Sequence, residues 1–210
     1  MSEANASTIR EVTPPRSLIY TWIIGAILGW YASFSLVLER IHVAENADAL
    51  ASCDLNPILS CKSVMLSAQA KLFGFPNPII GLAAFFAPLL VAFAVLAGAK
   101  FKTWFWHMYL LGIALGFIFV VWLFTQTVYS IGAICLYCMV AWFGMIPMFW
   151  GTLLWLIRED IVEVPTRFVG WADNAYSYAW AYSLITEAIM ASLILMHFAD
   201  RLGVMFSVGF

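Results

Sequence analysis

Five long apolar runs constrain what this chain can fold into more than any other feature. They cover residues 17–38, 78–99, 103–128, 131–157 and 175–198, and each reaches the roughly 20 residues that a helix needs to cross a bilayer. Inside hydrocarbon, every backbone N–H and C=O group must find its partner within the segment, which favours helices. Only 10% of the residues are charged, against about 25% in a soluble domain. The sequence therefore predicts an all-α integral membrane protein.

The basic residues in the connections predict the orientation of the spans, because Lys and Arg are more frequent on the cytoplasmic side of a membrane. A cytoplasmic N-terminus puts more of them inside than outside. The inside positions would be Arg10, Arg16, Lys100, Lys102, Arg158 and Arg167, and the outside ones Arg40, Lys62, Lys71 and Arg201. We therefore expect a mostly disordered cytoplasmic tail over 1–16, an external loop over 39–77, a cytoplasmic connection over 158–174 and a short external tail over 199–210.

Four cysteines form two pairs. Cys135 and Cys138 make a C-x-x-C near the start of the fourth run, and Cys53 and Cys61 lie in the polar interval between the first two runs. Residues three apart on a helix share a face, so the sulfurs of Cys135 and Cys138 can meet. The unpaired N–H groups at a helix N-terminus also favour a thiolate. In the predicted orientation all four cysteines lie outside, where disulfides persist.

Three readings of the cysteines remain open at this point. C-x-x-C spacing is typical of redox-active pairs, which favours a redox relay over two structural disulfides. The seven residues between Cys53 and Cys61 are more than the usual separation of a zinc-ligand pair, so a metal site is not expected. Nucleic acid is not an expected partner either, since the net charge is −2 and no basic patch occurs.

Electrons taken from thiols need an acceptor. The chain has no haem-attachment C-x-x-C-H, no glycine-rich dinucleotide turn and no iron–sulfur spacing, so a lipid-soluble quinone is the predicted acceptor. Several polar side chains near the outer membrane boundary are candidate hydrogen-bond donors to a quinone, or members of the aromatic belt: Asn77, Gln126, Tyr129, Tyr137 and Trp142.

Glu187 lies near the middle of the last run. An ionisable side chain at that depth in a membrane is energetically costly and is often functional. A hydrogen bond from Ser183, Thr186 or Ser192 would be the alternative explanation for its position.

These residues resemble the vitamin K epoxide reductase family, in particular its bacterial members. The resemblance covers about residues 17–157. It is carried by Cys53-Asp54, by Cys61 and Ser67, by the 77–81 segment (Asn-Pro-Ile-Ile-Gly) that opens the second run, and by the C-x-x-C that opens the fourth. In the DsbB type of membrane thiol oxidase the C-x-x-C comes first and the wide pair second, whereas here the order is reversed. Many bacterial members continue into a thioredoxin-like domain, but this chain stops at Phe210, so the resemblance implies a separate DsbA-like thioredoxin-fold partner.

The resemblance implies a four-helix bundle over 17–157 around a quinone (menaquinone or ubiquinone), with a peripheral fifth helix, in the bacterial inner membrane. Electrons would enter at the disulfide of Cys53 and Cys61. Cys61 would then attack Cys135, and Cys138 would reduce the quinone.

The resemblance also implies a quinone-side set of residues, namely Asn77, Ser67, Tyr137 and Trp142, with Asp54 supporting the loop. Vertebrate members carry tyrosine four residues after the second C-x-x-C cysteine, where this chain has Trp142. Its indole can donate a hydrogen bond but cannot accept one. Two alternatives to quinone-linked thiol oxidation are vitamin K epoxide reduction with the same cysteines and a non-enzymatic membrane subunit stabilised by disulfides.

Overall fold

The computed structural model describes residues 11–46, 50–56, 58–163, 165, 171 and 174–208. The α-helices of this part are α1 (Arg16–Glu45), α2 (Cys61–Leu66), α3 (Asn77–Leu96), α4 (Thr103–Thr125), α5 (Leu136–Arg158) and α6 (Ala179–Val208). Shorter turns adjoin three of them: Ala68–Lys71 after α2, the π-helical Gln126–Ile131 after α4, and Tyr176–Tyr178 before α6. In the described residues, five helices are long and apolar enough to cross a membrane. The predicted class, an all-α multi-pass membrane protein, is confirmed.

Helix α1 is the centre of the bundle, because it packs along both α3 and α5. The backbones of α1 and α5 approach each other closely at two glycines. A Cβ atom on Gly25 would lie 2.5 Å from the carbonyl oxygen of Gly144, and one on Gly144 would lie 2.5 Å from that of Gly25. Small residues allow this close approach between membrane helices. Helices α4 and α6 pack on α5 from the outside.

A buried aromatic cluster closes one end of the bundle. Trp22, Trp106 and Trp155 are 1% exposed or less, and their rings meet Tyr109 and one another mainly edge to face, a favourable arrangement for aromatic pairs. The Trp22 indole donates to the Thr152 hydroxyl at 2.8 Å. This end is therefore held by rigid side-chain packing.

The end of the N-terminal tail lies against the same end of the bundle. Glu11–Val12 (β1) pairs antiparallel with Phe101–Lys102 (β2), and Val12 is buried. The Lys100 ammonium also lies 3.2 Å from the Glu11 carboxylate. These two tail residues therefore differ from the disordered tail expected over 1–16, whose first ten residues lie outside the described part, as does most of 164–173.

Three helix boundaries differ from the apolar runs that predicted them. Helix α1 continues seven residues past 38 to Glu45, and its buried Leu36 and Val43 pack beside the cysteines. The fourth span begins at Leu136 rather than 131, because the π-helical turn occupies the preceding residues and Gly132 ends it with a positive φ of 69°. Helix α6 continues through the expected tail to Val208.

Candidate redox site

The four cysteines meet in one small buried cluster at the end of the bundle where α5 begins. We call this group the cysteine cluster; its buried members are Leu36, Val43, Ala51, Cys53, Cys61, Met65 and Cys135, with Cys138 packed against them. Cys61 is fully buried and Cys135 is 1% exposed. Two cysteine pairs that are 74 or more residues apart in the chain therefore share one water-poor environment.

The two pairs are in different oxidation states. Cys53 and Cys61 form a disulfide, with their Cα atoms 5.8 Å apart. Cys135 and Cys138 are free thiols, the first buried and the second half-buried. The zinc alternative needs all four sulfurs as thiolates, whereas two of them are already bonded to each other.

A short parallel β-bridge fixes the loop pair against the helix pair. Leu59 pairs with Ile134; the Ser60 N–H donates to the Ile134 carbonyl at 2.9 Å, and the Ile134 N–H donates to the Ile58 carbonyl at 2.7 Å. Cys61 follows Ser60, and Cys135 follows Ile134. The bridge therefore brings these two cysteines, one from each pair, to neighbouring positions.

Asp54 organises the disulfide loop from within. Its carboxylate accepts the N–H of Ala51 and the N–H of Lys62, each at 3.1 Å. Partial burial raises the pKa of Asp54, but hydrogen bonds from the Lys62 and Ala51 N–H groups, the Ser60 side chain and the Cys61 N–H together lower it below its usual value. Asp54 is thus ionised at neutral pH, at the N-terminus of α2, where the helix dipole favours an anion.

The polar loop after Cys53 is closed by its own side chains as well. The Asn56 side-chain oxygen accepts the N–H groups of Ile58 and Leu59 at 2.9 and 2.8 Å. Ser60 caps α2 by accepting the Ser63 N–H at 3.2 Å. The loop is therefore a self-contained unit that carries both of its cysteines.

Cys135 has a special place at the start of α5. It is the N-cap residue, and its sulfur accepts the backbone N–H of Cys138 at 3.3 Å. An N-cap position is usually taken by an oxygen side chain that accepts the same kind of N–H group. Here the Cys135 sulfur accepts the N–H group instead, so the start of α5 directs a hydrogen-bond donor at one of the two sulfur atoms of the C-x-x-C pair.

Tyr137 joins the loop to α5. Its hydroxyl group lies 3.2 Å from the Ser52 hydroxyl, and its ring meets the Tyr31 ring edge to face at 6.4 Å. Ser52 directly precedes Cys53, and Tyr137 directly precedes Cys138. The hydroxyl expected on the quinone side thus contacts the disulfide loop.

Asn77 and Ser67 hold the backbone of the segment between α2 and α3. The Asn77 amide donates to the Gln69 carbonyl at 2.7 Å and accepts the Leu72 N–H at 3.1 Å. The Ser67 hydroxyl donates to the Val64 carbonyl at 2.7 Å and accepts the Ala70 N–H at 3.2 Å. The Asn77 side-chain amide has two N–H hydrogens and uses one of them for the Gln69 carbonyl. The second hydrogen is left for the expected contact with a quinone.

Trp142 lies one helical turn beyond Cys138 on the same face of α5, and is 5% exposed. Its ring stands edge-on to Phe124 at 5.3 Å, and its indole N–H donates no hydrogen bond to any residue of the described ranges. It lines a cleft between α5 and α6, the α5–α6 cleft, together with Met139, Phe143, Ile146, Glu187, Met190, Ala191 and Ile194. The surface of this cleft is apolar, and its first α5 residue, Met139, directly follows Cys138 in the chain.

Sequence reasoning missed the α6 side of this cleft. Glu187, Met190, Ala191 and Ile194 follow the i, i+3, i+4, i+7 spacing of one helix face, a signal present in the sequence. Two of the three hydroxyl groups expected to satisfy Glu187 donate elsewhere, because Ser183 donates to the Ala179 carbonyl and Thr186 to the Tyr182 carbonyl. Within the described part of the chain, no group of three or more His, Cys, Asp or Glu side chains is arranged to hold a metal ion.

Comparison with known proteins supports the resemblance seen in the sequence. The family model described as the vitamin K epoxide reductase family matches residues 20–153, a range that includes all four cysteines, Asp54, Asn77 and Trp142. No curated protein and no solved structure gives a match.

Proposed function

Because the chain belongs to the vitamin K epoxide reductase family, we propose that it is a membrane thiol oxidoreductase that links a reduced DsbA-like thioredoxin-fold protein to a membrane quinone. Oxidation of one dithiol to a disulfide releases two electrons and two protons, which the quinone accepts when it becomes a quinol. The observation that supports this most is the meeting of a loop disulfide and a free C-x-x-C dithiol in one buried cluster. The product would be a disulfide in the partner, which can pass to secreted proteins.

The first exchange opens the loop disulfide. A partner thiolate attacks the Cys53 sulfur, the bond between Cys53 and Cys61 breaks, and Cys61 leaves as a thiolate. The second partner thiol then attacks the mixed disulfide, which frees Cys53 and leaves the partner oxidised. Leu50 and Leu55 flank Cys53 and are 75% and 65% exposed, so an apolar partner surface has a place to bind. Cys53 itself is 4% exposed, so the loop must open for this attack.

The second exchange moves the electrons into the bundle. The Cys61 thiolate attacks the Cys135 sulfur of an oxidised Cys135–Cys138 pair, and Cys138 leaves as a thiolate. Cys53 then attacks Cys61, which restores the loop disulfide and releases Cys135. The result is the state seen in the structure, with the loop oxidised and the helix pair reduced. The β-bridge between Leu59 and Ile134 supports this order because it places Cys61 and Cys135 next to each other.

The last step oxidises the helix pair. Cys135 and Cys138 give up two electrons and two protons and close their disulfide. The Cys138 N–H donates to the Cys135 sulfur and so stabilises a thiolate there. This thiolate would attack the Cys138 sulfur and form the S–S bond, while the two electrons and two protons pass to the quinone. Trp142 and Asn77, the first residue of α3, would donate hydrogen bonds to the acceptor, because Asn77 keeps one amide hydrogen beyond the one it gives to the Gln69 carbonyl.

We further propose that the cysteine cluster faces the periplasm of a bacterial cell and that the N-terminus is cytoplasmic. Arg16 starts α1, Lys100 lies between α3 and α4, and Arg158 ends α5. All three positions are at the end of the bundle away from the cysteine cluster, and the β1–β2 pairing holds the N-terminal segment there too. The positive-inside tendency assigns that end to the cytoplasm.

The test is quinone reduction by purified protein in lipid, with either a thioredoxin-fold dithiol protein or a small dithiol as reductant. Wild type should turn over with both reductants. Cys138→Ser should be inactive with both, and Cys53→Ser should lose only the protein-driven rate. Quinone reduction by Cys138→Ser at the wild-type rate would contradict the relay. Reduction of a vitamin K epoxide but no turnover with quinone would instead favour the epoxide reductase alternative.

A further inference from the structure

The disulfide loop has two parts that differ in how far they are buried. We call residues 50–54 the entry segment and residues 58–66 the α2 segment; each part carries one cysteine. Leu50 of the entry segment is 75% exposed, whereas Met65 of the α2 segment is 6% exposed and Cys61 is fully buried. The α2 segment is therefore the inner part of the loop.

The β-bridge holds the start of the α2 segment. The Ser60 N–H donates to the Ile134 carbonyl, and the Ile134 N–H donates to the Ile58 carbonyl. Cys61 follows directly, so its backbone is fixed on the side that leads to Cys135.

Arg40 holds the other end of the α2 segment. Its guanidinium, on the part of α1 that extends past residue 38, donates to the Met65 carbonyl. Carbonyl groups in the last turn of a helix lack partners within it, and a cation is favourable at that end. Met65 also packs with Leu36 and Val43 of α1 in the cysteine cluster. The α2 segment is thus attached to α1 by a charged hydrogen bond and by apolar contact.

The entry segment has weaker connections to its surroundings. The Asp54 carboxylate accepts the Lys62 N–H in a partly buried hydrogen bond, and the Ser52 hydroxyl meets the Tyr137 hydroxyl at an exposed position. Polar contacts near a surface open at lower free energy than packed segments do. Once the disulfide is broken, the entry segment can therefore leave while the α2 segment stays.

We propose that Arg40 is a positioning residue for the exchange between Cys61 and Cys135. It keeps the α2 segment on α1 while the entry segment opens to the partner. This inference rests on the proposed function. When a partner thiolate bonds to Cys53, the bond from Cys53 to Cys61 breaks, and the Cys61 thiolate is already beside Cys135. Its attack forms the bond to Cys135 and breaks the one between Cys135 and Cys138.

The direct test needs neither partner nor quinone. Protein in lipid is reduced with a small dithiol, separated from it and treated with iodoacetamide, and mass spectrometry follows each cysteine peptide with time. Arg40→Met loses the donor but keeps an unbranched side chain. It should raise the alkylation rate of Cys61 about tenfold and leave that of Cys53 within about twofold. An unchanged Cys61 rate in Arg40→Met would overturn the inference.

Turnover separates positioning from a general structural role. With a protein dithiol, Arg40→Met should lower kcat about tenfold while the KM for that protein stays within about twofold, because the entry segment is unchanged. A small dithiol reduces the helix pair directly, so its rate should stay within about twofold. Arg40→Lys restores a donor and a positive charge, and should recover most of the lost kcat. Equal losses with both reductants would overturn the inference, since Arg40 would then support the whole bundle.

Lys71→Met is the matched control, because it removes an exposed basic side chain from the segment after α2. It should match wild type in alkylation and in turnover, and an effect equal to that of Arg40→Met would overturn the inference. If wild type reduced no quinone with either reductant, the proposed function would fail, while alkylation would still report whether Arg40 holds Cys61. If wild type turned over and Arg40→Met matched it in both measurements, only the role of Arg40 would fail.

Discussion

The loop that carries Cys53 and Cys61 and the helix end that carries Cys135 and Cys138 meet in one cluster, but different forces hold them. Backbone N–H groups close the loop by donating hydrogen bonds to the side-chain oxygens of Asp54 and Asn56. The helix end continues into α5, which is packed against α1, α4 and α6. Local hydrogen bonds near a surface open at lower free energy than a packed helix does.

The difference in how the loop and the helix end are held matches the two functions that a redox relay needs. The loop pair has to expose Cys53 to a large partner and afterwards present Cys61 to Cys135. The helix pair only has to stay beside the acceptor. A mobile pair and a fixed pair therefore allow one protein to face both water and lipid, and the following predictions test that division, from the largest expected effect to the smallest.

The largest expected effect is on which loop cysteine forms a disulfide with which helix cysteine. Cys53→Ser/Cys138→Ser leaves Cys61 and Cys135, and a mild thiol oxidant should link nearly all molecules through these two. The matched variant Cys61→Ser/Cys135→Ser leaves Cys53 and Cys138, which the β-bridge does not align, and should link far less. Non-reducing mass spectrometry of the peptides measures both. Equal linking in the two variants would mean that the loop has no preferred register on α5.

Asp54→Asn should loosen the loop without changing the helix pair. The amide keeps the size of the side chain but loses the charge that accepts the Ala51 and Lys62 N–H groups, so the rate with a protein dithiol should fall about tenfold. The rate with a small dithiol should stay within about twofold, because that reductant can act on the helix pair directly. Equal losses with both reductants would place Asp54 in the helix-pair chemistry instead.

The pH dependence of the loop follows from the same carboxylate. The pKa of Asp54 is lowered in the folded protein, so its contribution to loop stability is complete above the ordinary aspartate pKa and is lost as the pH falls through the lowered one. Hydrogen exchange of the Lys62 amide should therefore show reduced protection only in acid. Asp54→Asn should show the acid-state protection at neutral pH, without that pH dependence.

Tyr137→Phe should have a smaller effect, again on the loop side. It removes the hydroxyl beside Ser52 but keeps the ring that packs on Tyr31. One exposed hydrogen bond contributes about 0.5–1.5 kcal/mol at most, so the protein-dithiol rate should fall about threefold. Ser52→Ala removes the other partner and should match it. A change in the KM for quinone would instead return Tyr137 to the quinone side.

The fold was largely predictable because membrane spans are set by length and hydrophobicity, and the five runs needed no knowledge of packing. The cysteine pairs could be recognised from their spacing. The contacts of Tyr137 and Asn77 could not be predicted, because a side chain at the membrane boundary has several polar neighbours, and only the loop path decides which one it meets. The α6 side of the cleft depends on the rotation of α6 about its axis, which its neighbours on α5 determine.

Glu187→Gln should have the smallest effect, although an ionisable side chain within a span is often functional. Thr186 is level with Trp150, and Trp150 lies eight residues, about 12 Å along the helix axis, beyond Trp142. Glu187 is therefore too deep to contact a quinone ring that touches Cys138, and the amide can occupy the same space. We expect kcat and the KM for quinone within about twofold of wild type from pH 6 to 8.

Glu187→Leu, which removes the polar group altogether, serves as the companion variant. If the carboxyl has no part in the reaction, this variant should also keep the kcat and the KM for quinone of wild type. A loss of kcat in both variants, with a displaced pH profile, would show instead that Glu187 delivers protons to the acceptor. The division of labour would then be incomplete, since the fixed pair would depend on a titratable group of α6 as well as on its own sulfurs.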